Sequence, residues 1–256
     1  MRTPEANAII DAGFSGKIIT RLLEQRGLSV SDIHATFITH EHNDHCSGLK
    51  GLSKSKHIAF FANKKTAEAI NVKLDRDVGW TFFENECQFY FRDLEITAFS
   101  LPHDAADPVG YVFSLKNCRE PAQGKICIMT DLGYVPQGLT QYTSDVDCLV
   151  IEANHDLQLL EFDPKRPGYI KDRIRGRYGH LSNEAALSFV SKNYSPRWKK
   201  IIFVHLSSDC NKPEIIRKML QKYNFPDNLT FEVADSPVTE SYQCQNSTPM
   251  AAPTGA

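Results

Sequence analysis

The stretch Thr39-His40-Glu41-His42-Asn43-Asp44-His45 decides how this sequence is interpreted. It places three imidazoles and a carboxylate directly after an apolar run, Ala35 to Thr39, that has the composition of a β-strand. These are the groups that bind zinc, manganese or iron. In a turn at the end of a strand, alternate side chains can point towards the same metal ion. His40 and His42 are therefore expected to bind one ion, and Asp44 and His45 a second. A solvated polar turn is the structural alternative.

Three further candidate ligands each follow a predicted strand. A single histidine in such a position usually makes an ordinary hydrogen bond, but together with the cluster these residues complete a set of about seven donors, enough for two ions. A zinc-protease helix is excluded, because its His-Glu-x-x-His spacing is absent. The three residues are His103 after 94–102, Asp131 after 125–130 and His205 after 201–204.

The composition is that of a globular protein. The chain has 256 residues, of which 41% are hydrophobic and 10% aromatic. Its 29 basic and 31 acidic residues exclude a generally basic nucleic-acid coat, though not a local basic patch. No apolar run approaches the ~20 residues of a membrane helix, and the N-terminus lacks a secretory signal. We therefore expect no membrane partner. We also expect no organic cofactor.

The 7 cysteines form no Cys-x-x-Cys pair. Reduced, buried thiols explain them better than disulfides, which predicts a cytoplasmic protein.

Apolar strand-like runs alternate with helical patterns along most of the chain, which predicts an α/β fold with helices outside the sheets rather than a regular βαβ series. The last stretch, 241–256, is rich in Ser, Thr, Pro, Ala and Gly and predicts a disordered tail, so the folded domain is expected to cover 1–240. Strands are predicted at 8–11, 35–39, 57–61, 94–100, 110–115, 125–130, 148–152 and 201–204, and helices near 18–23, 182–190 and 213–220.

The motifs together resemble those of the metallo-β-lactamase superfamily, whose pattern is His-x-His-x-Asp-His, a later His, a strand-end Asp and a final His. The flanking sequence is similar to the YycJ/WalJ group, bacterial hydrolases of this fold that are regarded as DNA exonucleases. The resemblance extends from about Ala6 to Asp235. The segments that carry it are 10–17, 130–134, 151–156, 179–183 and 205–207.

The resemblance implies a metallo-β-lactamase αββα sandwich, in which two mixed sheets carry helices on their outer faces. Two divalent metal ions would lie at one edge of the sheets. Zinc or manganese would suit the site, and iron is also possible. Asp11 would orient a ligand histidine; a strand-end cap is the alternative. The implied ligands are His40, His42 and His103 for the first ion, Asp44, His45 and His205 for the second, and Asp131 as the bridge.

The implied activity is that of a dimetal phosphodiesterase in which a hydroxide bridging the ions attacks phosphorus. Asp44 would be one catalytic residue. Glu152 and His180 resemble a pair in RNase Z nucleases, where a Glu orients a His that protonates the leaving oxygen. A helix-capping contact is the alternative for His180. His155 is expected to support this second group from outside the ligand set.

A basic segment that also contains tyrosines lies between His155 and His180, which favours a nucleic acid, most specifically DNA ends, as the partner. A solvated helix face is the alternative.

The chain lacks room for a β-CASP insertion and, around the turn at 121–124, for a tRNA-binding arm, so an exonuclease is favoured over RNase Z-like RNA processing. The motifs are also compatible with a small-molecule phosphodiesterase or thioesterase and with an inactive metal-binding regulator. The candidate substrate-binding residues are Arg173, Arg175, Arg177 and Tyr178.

One departure from the YycJ/WalJ pattern concerns the N-terminus. Members of that group usually begin with an extra strand and a Ser-Gly-Ser-Ser-Gly-Asn loop, whereas this sequence starts within the segment that leads to Asp11. We therefore expect the N-terminal hairpin to be missing and the sheet edge beside this segment to be unpaired.

Overall fold

The computed structural model describes residues 1–116 and 124–234. Its strands form two sheets, one of four strands and one of seven. The smaller sheet consists, in spatial order, of β1 (Ala8–Ile10), β2 (Ala35–Phe37), β3 (Ala59–Ala62) and β4 (Trp80–Phe82). The larger sheet consists, also in spatial order, of β5 (Gln88–Phe91), β6 (Leu94–Ser100), β7 (Val109–Leu115), β8 (Ile126–Met129), β9 (Cys148–Glu152), β10 (Lys200–Val204) and β11 (Thr230–Val233).

Helices connect most of these strands, and local capping sets where several of them begin. The side chain of Asn63 accepts a hydrogen bond from the backbone N–H of Thr66, and that of Ser182 accepts one from Ala185, as N-caps do. The described helices are α1 (Gly16–Glu24), α2 (Asn43–Cys46), α3 (Leu49–Leu52), α4 (Lys64–Leu74), α5 (Thr140–Thr143), α6 (Leu157–Glu161), α7 (Gly168–Arg175), α8 (Asn183–Lys192) and α9 (Pro213–Leu220).

The two sheets differ in strand direction. The larger sheet is mixed as predicted, with antiparallel pairs from β5 to β8 and parallel pairs from β8 to β11. The prediction of a mixed smaller sheet is wrong, because β1 to β4 pair in parallel throughout. Helical crossovers explain the difference: α1, the pair α2 and α3, and α4 each return the chain to the same end of the smaller sheet.

Three hydrophobic clusters separate four layers, so the αββα sandwich is confirmed. One cluster lies between the smaller sheet and helices α1, α3 and α4, and it includes Phe60. The next residue, Phe61, points to the opposite face and packs with Tyr111 between the two sheets. The third cluster packs Phe203 of the larger sheet against helices that include α9 through Ile216.

The start of the chain folds back on β1, which corrects the expectation that it lies within that strand. Arg2 forms an antiparallel bridge with Asn7, and Met1 and Ala8 exchange two backbone hydrogen bonds of 2.8 and 2.9 Å. This short reversal occupies part of the sheet edge that was expected to be unpaired.

The predicted disordered tail at 241–256 lies outside the described residues, as does most of the predicted turn at 121–124. Within the part of the chain that the structure describes, every helix is too short or too polar to span a bilayer.

Candidate metal centre

The candidate residues meet at one edge of the sandwich because they follow strands that end there. The carboxyl ends of strands with the same direction lie at the same edge of a sheet, where α/β proteins bind their ligands. Strand β6 runs in the same direction as β8, since each is antiparallel to β7. The site residues follow these strands: Asp11 and 40–45 after β1 and β2, and His103, Asp131, Glu152 and His205 after or at the ends of β6, β8, β9 and β10.

Three of these residues adopt a left-handed backbone conformation. The φ angles are 55° at Asp11, 62° at Asp131 and 59° at His205. Such a conformation costs about 1–3 kcal/mol for a residue other than glycine, and it concentrates at functional sites. At all three positions the strand ends and the side chain turns into the site, which indicates that the surrounding fold stabilises the strained geometry.

The central motif is an extended segment followed by a helical turn, rather than a turn of alternating residues. His42 is the N-cap of α2, and Asp44 and His45 belong to this four-residue helix. A Cβ atom at Gly13 would overlap the carbonyl oxygen of Asp44. The segment after β1 therefore packs directly against α2, and only glycine fits there.

The candidate ligands form two groups that share one carboxylate. In each group the donor atoms lie within 4.8 Å of one another. Asp131 lies between the groups: its Oδ2 atom is 3.3 Å from Nε2 of His45, and its Oδ1 atom is 3.4 Å from Nε2 of His205 and 3.8 Å from Nε2 of His103. The groups are His40, His42 and His103, and Asp44, His45 and His205.

Buried donor atoms without a hydrogen-bond partner test whether this set fits metal ions. Nε2 of His40, Nε2 of His45 and Oδ2 of Asp131 are buried and make no hydrogen bond of good geometry with any described residue, although the last two atoms lie 3.3 Å apart. Leaving such atoms unpaired costs about 1–3 kcal/mol each in a protein interior. Because all three belong to the clustered imidazole and carboxylate set, the residues fit divalent cations, which would satisfy these atoms.

The candidate ligands differ in protonation when no metal ion is bound. Burial and the neighbouring His45 lower the pKa of His40 to about 2, so its imidazole is a neutral donor. Burial alone would lower the pKa of His205, but Asp131, Asp44 and Glu152 outweigh it and raise this pKa to about 10. In the metal-free protein a proton on His205 therefore offsets part of the negative charge that a cation would neutralise.

Asp11 occupies the position expected of a residue that orients a ligand. Its Oδ2 atom lies 2.7 Å from Nδ1 of His45 and accepts a hydrogen bond of 2.8 Å from the hydroxyl of Thr39. Its Oδ1 atom accepts the backbone N–H of Thr39 at 2.8 Å. With Nδ1 of His45 held in this way, the Nε2 atom faces the site.

Glu152 is fully buried and accepts four hydrogen bonds. Its Oε1 atom lies 2.7 Å from Nδ1 of His180 and 2.8 Å from Nδ1 of His205. Its Oε2 atom accepts the backbone N–H groups of Leu132 and Leu181 at 3.1 and 3.2 Å. The expected contact with His180 is present. The same carboxylate also holds a candidate metal ligand, His205, a contact that the sequence pattern did not indicate.

His155 lies beside this group but not among the candidate ligands. It is 1% exposed and pairs through its backbone with Ser182. Its Nδ1 atom is buried without a hydrogen-bond partner among the described residues. Burial is the largest cause that lowers its pKa to about 4, so the ring is neutral.

The four predicted substrate-binding residues differ in what they contact. Arg173 lines a cleft of about 150 Å³ beside the metal centre, and its Nε atom is 2.5 Å from Oδ2 of Asp104. Arg175 pairs with two acidic residues, Glu161 and Asp172, which neutralise its charge. Arg177 stacks over the ring of Tyr134, and the side chain of Tyr178 is exposed.

Sequence reasoning missed two residues near the metal centre: Asp104 lines this cleft, and Tyr134 lies in the loop after β8. Asp104 directly follows His103, and Tyr134 follows Asp131 by three positions. Each lies next to a predicted ligand in sequence, which is the signal that could have identified it. Neither residue type is specific to a site, however, and only the positions of their arginine partners reveal a role.

The comparisons with known proteins agree with this geometry. The model of the beta-lactamase superfamily domain matches residues 6–205. The exodeoxyribonuclease YycJ of Bacillus anthracis is 32% identical over 241 residues, which cover 91% of this chain and 88% of that protein. The exodeoxyribonuclease WalJ of Streptococcus pneumoniae serotype 2 is 34% identical over 219 residues, covering 84% and 79%.

Among solved structures, the metallo-beta-lactamase fold protein YhfI from Bacillus subtilis matches with a TM-score of 0.66. It shares 14% sequence identity, and the match covers 92% of this chain and 87% of that one. At this identity the match shows the fold alone. The four layers, the clustered donors and the sequence relatives agree: the chain belongs to the metallo-β-lactamase superfamily of metal-dependent hydrolases, within the group that contains the YycJ and WalJ proteins.

Proposed function

We propose that this protein is a two-metal phosphodiesterase that hydrolyses DNA from strand ends. The observation that carries the proposal is the pair of three-residue donor groups with the carboxylate of Asp131 between them, 3.4 Å from Nε2 of His205 and 3.8 Å from Nε2 of His103. The names of the relatives that cover most of this chain support DNA as the substrate and strand ends as the point of attack. The cysteines in the described residues form no disulfide, which supports cytoplasmic DNA as the substrate pool.

The metal ions would be held by the two donor groups, with Asp131 between them. When bound, two divalent cations supply an activated water and neutralise charge on the attacking and leaving oxygens of a phosphodiester. Zinc and manganese both suit imidazole and carboxylate donors, and iron does as well. Asp44 belongs to the second group, and its Oδ2 atom lies 3.5 Å from Nε2 of both His45 and His205.

His180 is the residue that we assign to protonating the leaving oxygen. It lines the cleft beside the metal centre, and Glu152 holds its Nδ1 atom, so Nε2 is the nitrogen that remains for proton transfer. Burial alone lowers the pKa of His180, but the hydrogen bond and charge of Glu152 outweigh burial and raise it. In the metal-free protein this direction favours the protonated imidazole that a general acid requires.

Metal analysis combined with a nuclease assay tests this function. The purified protein should hold close to two metal ions and degrade end-labelled single- or double-stranded DNA only when loaded with metal. Asp44→Ala should lose most of this activity, because it removes a donor from the second group. Asp145→Ala is the matched control, since this carboxylate lies in surface ion pairs with Lys125 and Arg197.

Full nuclease activity in Asp44→Ala would contradict the proposal. A chromogenic phosphodiester added to the DNA assay distinguishes a small-molecule hydrolase from a nuclease. If DNA does not compete with the chromogenic ester for the wild-type enzyme, a small-molecule hydrolase replaces the nuclease.

A further inference from the structure

The loop after β8 and the segment after α7 carry an aromatic and arginine pair that the proposed mechanism does not use. Tyr134 lies in the loop after β8, three residues beyond Asp131, and is 37% exposed. The guanidinium carbon of Arg177 lies 4.6 Å from the centroid of its ring. Both side chains are exposed, so this cation–π contact is open to solvent.

Arg177 differs from the neighbouring cations in the basic segment. Arg173 forms an ion pair with Asp104, and Arg175 forms ion pairs with two acids. Arg177 forms no ion pair with a residue in 1–116 or 124–234, and its described contact is the ring of Tyr134. Its charge is therefore not neutralised by an acidic side chain of the described residues, which leaves it available to a ligand.

Backbone contacts hold this pair next to the metal centre. A Cβ atom at Gly133 would overlap the carbonyl oxygen of Gly176, so the loop of Tyr134 and the segment of Arg177 touch at their backbones. Two residues after Arg177, the carbonyl oxygen of Gly179 lies 3.0 Å from Nδ1 of the candidate ligand His103. Each member of the pair is thus within three residues of a residue at the metal centre.

We propose that Tyr134 and Arg177 form a base-stacking platform that binds an unpaired terminal nucleotide of DNA and sets it beside the metal centre; this rests on the proposed nuclease function. Aromatic rings and guanidinium planes stack on any base, and arginine also neutralises phosphate. Stacking of this kind needs a base that has left the duplex. The platform therefore favours single-stranded or frayed ends over blunt ends.

Fluorescence anisotropy measures the platform directly. The metal-loaded protein is titrated into a labelled single-stranded oligonucleotide whose phosphorothioate linkages slow cleavage, and into the same strand with abasic sites at both terminal nucleotides. Wild-type protein should bind the normal strand about tenfold more tightly, within the range of base–aromatic stacking. Tyr134→Ala should lose this difference by weakening binding to the normal strand alone, whereas Tyr134→Phe should retain it.

Arginine variants provide a matched pair for the same titration. Arg177→Ala should reduce the difference between the two strands, whereas Arg175→Ala, which removes a guanidinium already paired with acids, should retain it. Tyr169→Ala removes another exposed ring, on α7, and should also retain it. Thermal unfolding of each variant identifies any that fail to fold, and Tyr134→Phe preserves the packing if Tyr134→Ala does not.

The outcomes separate this proposal from the nuclease function. Equal affinity of wild-type protein for normal and abasic strands would overturn the platform even if the enzyme degrades DNA. A Tyr134→Ala variant that weakens both strands equally would also overturn it. Base-dependent binding by a wild-type protein that cleaves no DNA would support the platform and contradict the proposed function.

Discussion

Glu152→Gln is the most informative single change, because it keeps the size of a fully buried side chain while it changes the hydrogen bonds and removes the negative charge. In the native protein both carboxylate oxygens accept: one faces the Nδ1 atoms of His180 and His205, and the other faces the backbone N–H groups of Leu132 and Leu181. A glutamine has one oxygen and one NH₂ group in these positions. Two of the four hydrogen bonds therefore fail in one orientation of the amide, and in the other they persist only if both imidazoles accept at Nδ1.

The orientation decides which property is lost. If the NH₂ group faces the backbone, two buried N–H donors remain unpaired, at about 1–3 kcal/mol each or about 2–6 kcal/mol together. If it faces the imidazoles, Nδ1 of His205 must accept, which moves the ring proton to Nε2 and removes the lone pair that a cation needs. The metal-loaded protein must therefore keep the NH₂ group towards the backbone, and its free energy of unfolding falls by the cost of both unpaired N–H donors.

We expect the free energy of unfolding of metal-loaded Glu152→Gln to fall by about 2–6 kcal/mol. Its metal affinity should fall by about 10- to 100-fold, as for other residues that orient ligands. Urea unfolding followed by the fluorescence of the buried Trp198, with and without metal, measures both effects.

Glu161→Gln is the control, since this carboxylate is exposed and pairs with Arg175. It should change the free energy of unfolding by less than about 0.5 kcal/mol. If metal-loaded Glu152→Gln matched wild-type protein in unfolding free energy and metal content, the structural reasoning would be refuted.

The site and the core support three more predictions. Gly13→Ala should displace the carbonyl of Asp44, lower the metal content and reduce the free energy of unfolding by about 1–3 kcal/mol or more, measured by metal analysis and urea unfolding. Metal binding at pH 7 should release protons from His205, whose metal-free pKa is about 10, and from His45, whose pKa Asp11 raises despite burial, so that metal affinity falls as pH falls; calorimetry in buffers of different ionisation enthalpy measures this. Exposed Cys87 should react quickly with a thiol reagent, whereas burial raises the pKa of Cys127 and should protect it until unfolding, as mass spectrometry can follow.

Each of these predictions has an outcome that contradicts it. A Cβ atom at Gly138 meets nothing within 4 Å, so Gly138→Ala should leave metal content unchanged, and an equal effect of both alanine variants would contradict close packing at Gly13. Metal affinity that is constant from pH 6 to pH 9 would contradict the raised pKa of His205. Rapid labelling of Cys127 in the folded protein would contradict its place in the core.

Much of the fold was predictable from local sequence. The strand prediction at 94–100 matches β6, and the prediction at 148–152 matches β9, because their apolar and β-branched residues leave little alternative. Strand β11 (Thr230–Val233) was not predicted: it lies at a sheet edge, and only the last of its four residues is buried, so its pattern is weak. The parallel direction of the smaller sheet also needed the tertiary structure, since strand patterns do not specify direction.

By itself, the sequence determined the chemistry of this protein: an imidazole and carboxylate motif behind a strand, with three more donors behind later strands. Donor type and strand-end position are local properties, so they can be recognised without a structure. The tertiary structure decided how each group is held: the left-handed backbone at Asp131 and His205, the shared carboxylate of Glu152, and the stacking of Arg177 on Tyr134. These contacts join residues distant in sequence, and whether a charge is paired or free depends on which side chains the packed layers bring within a few ångströms.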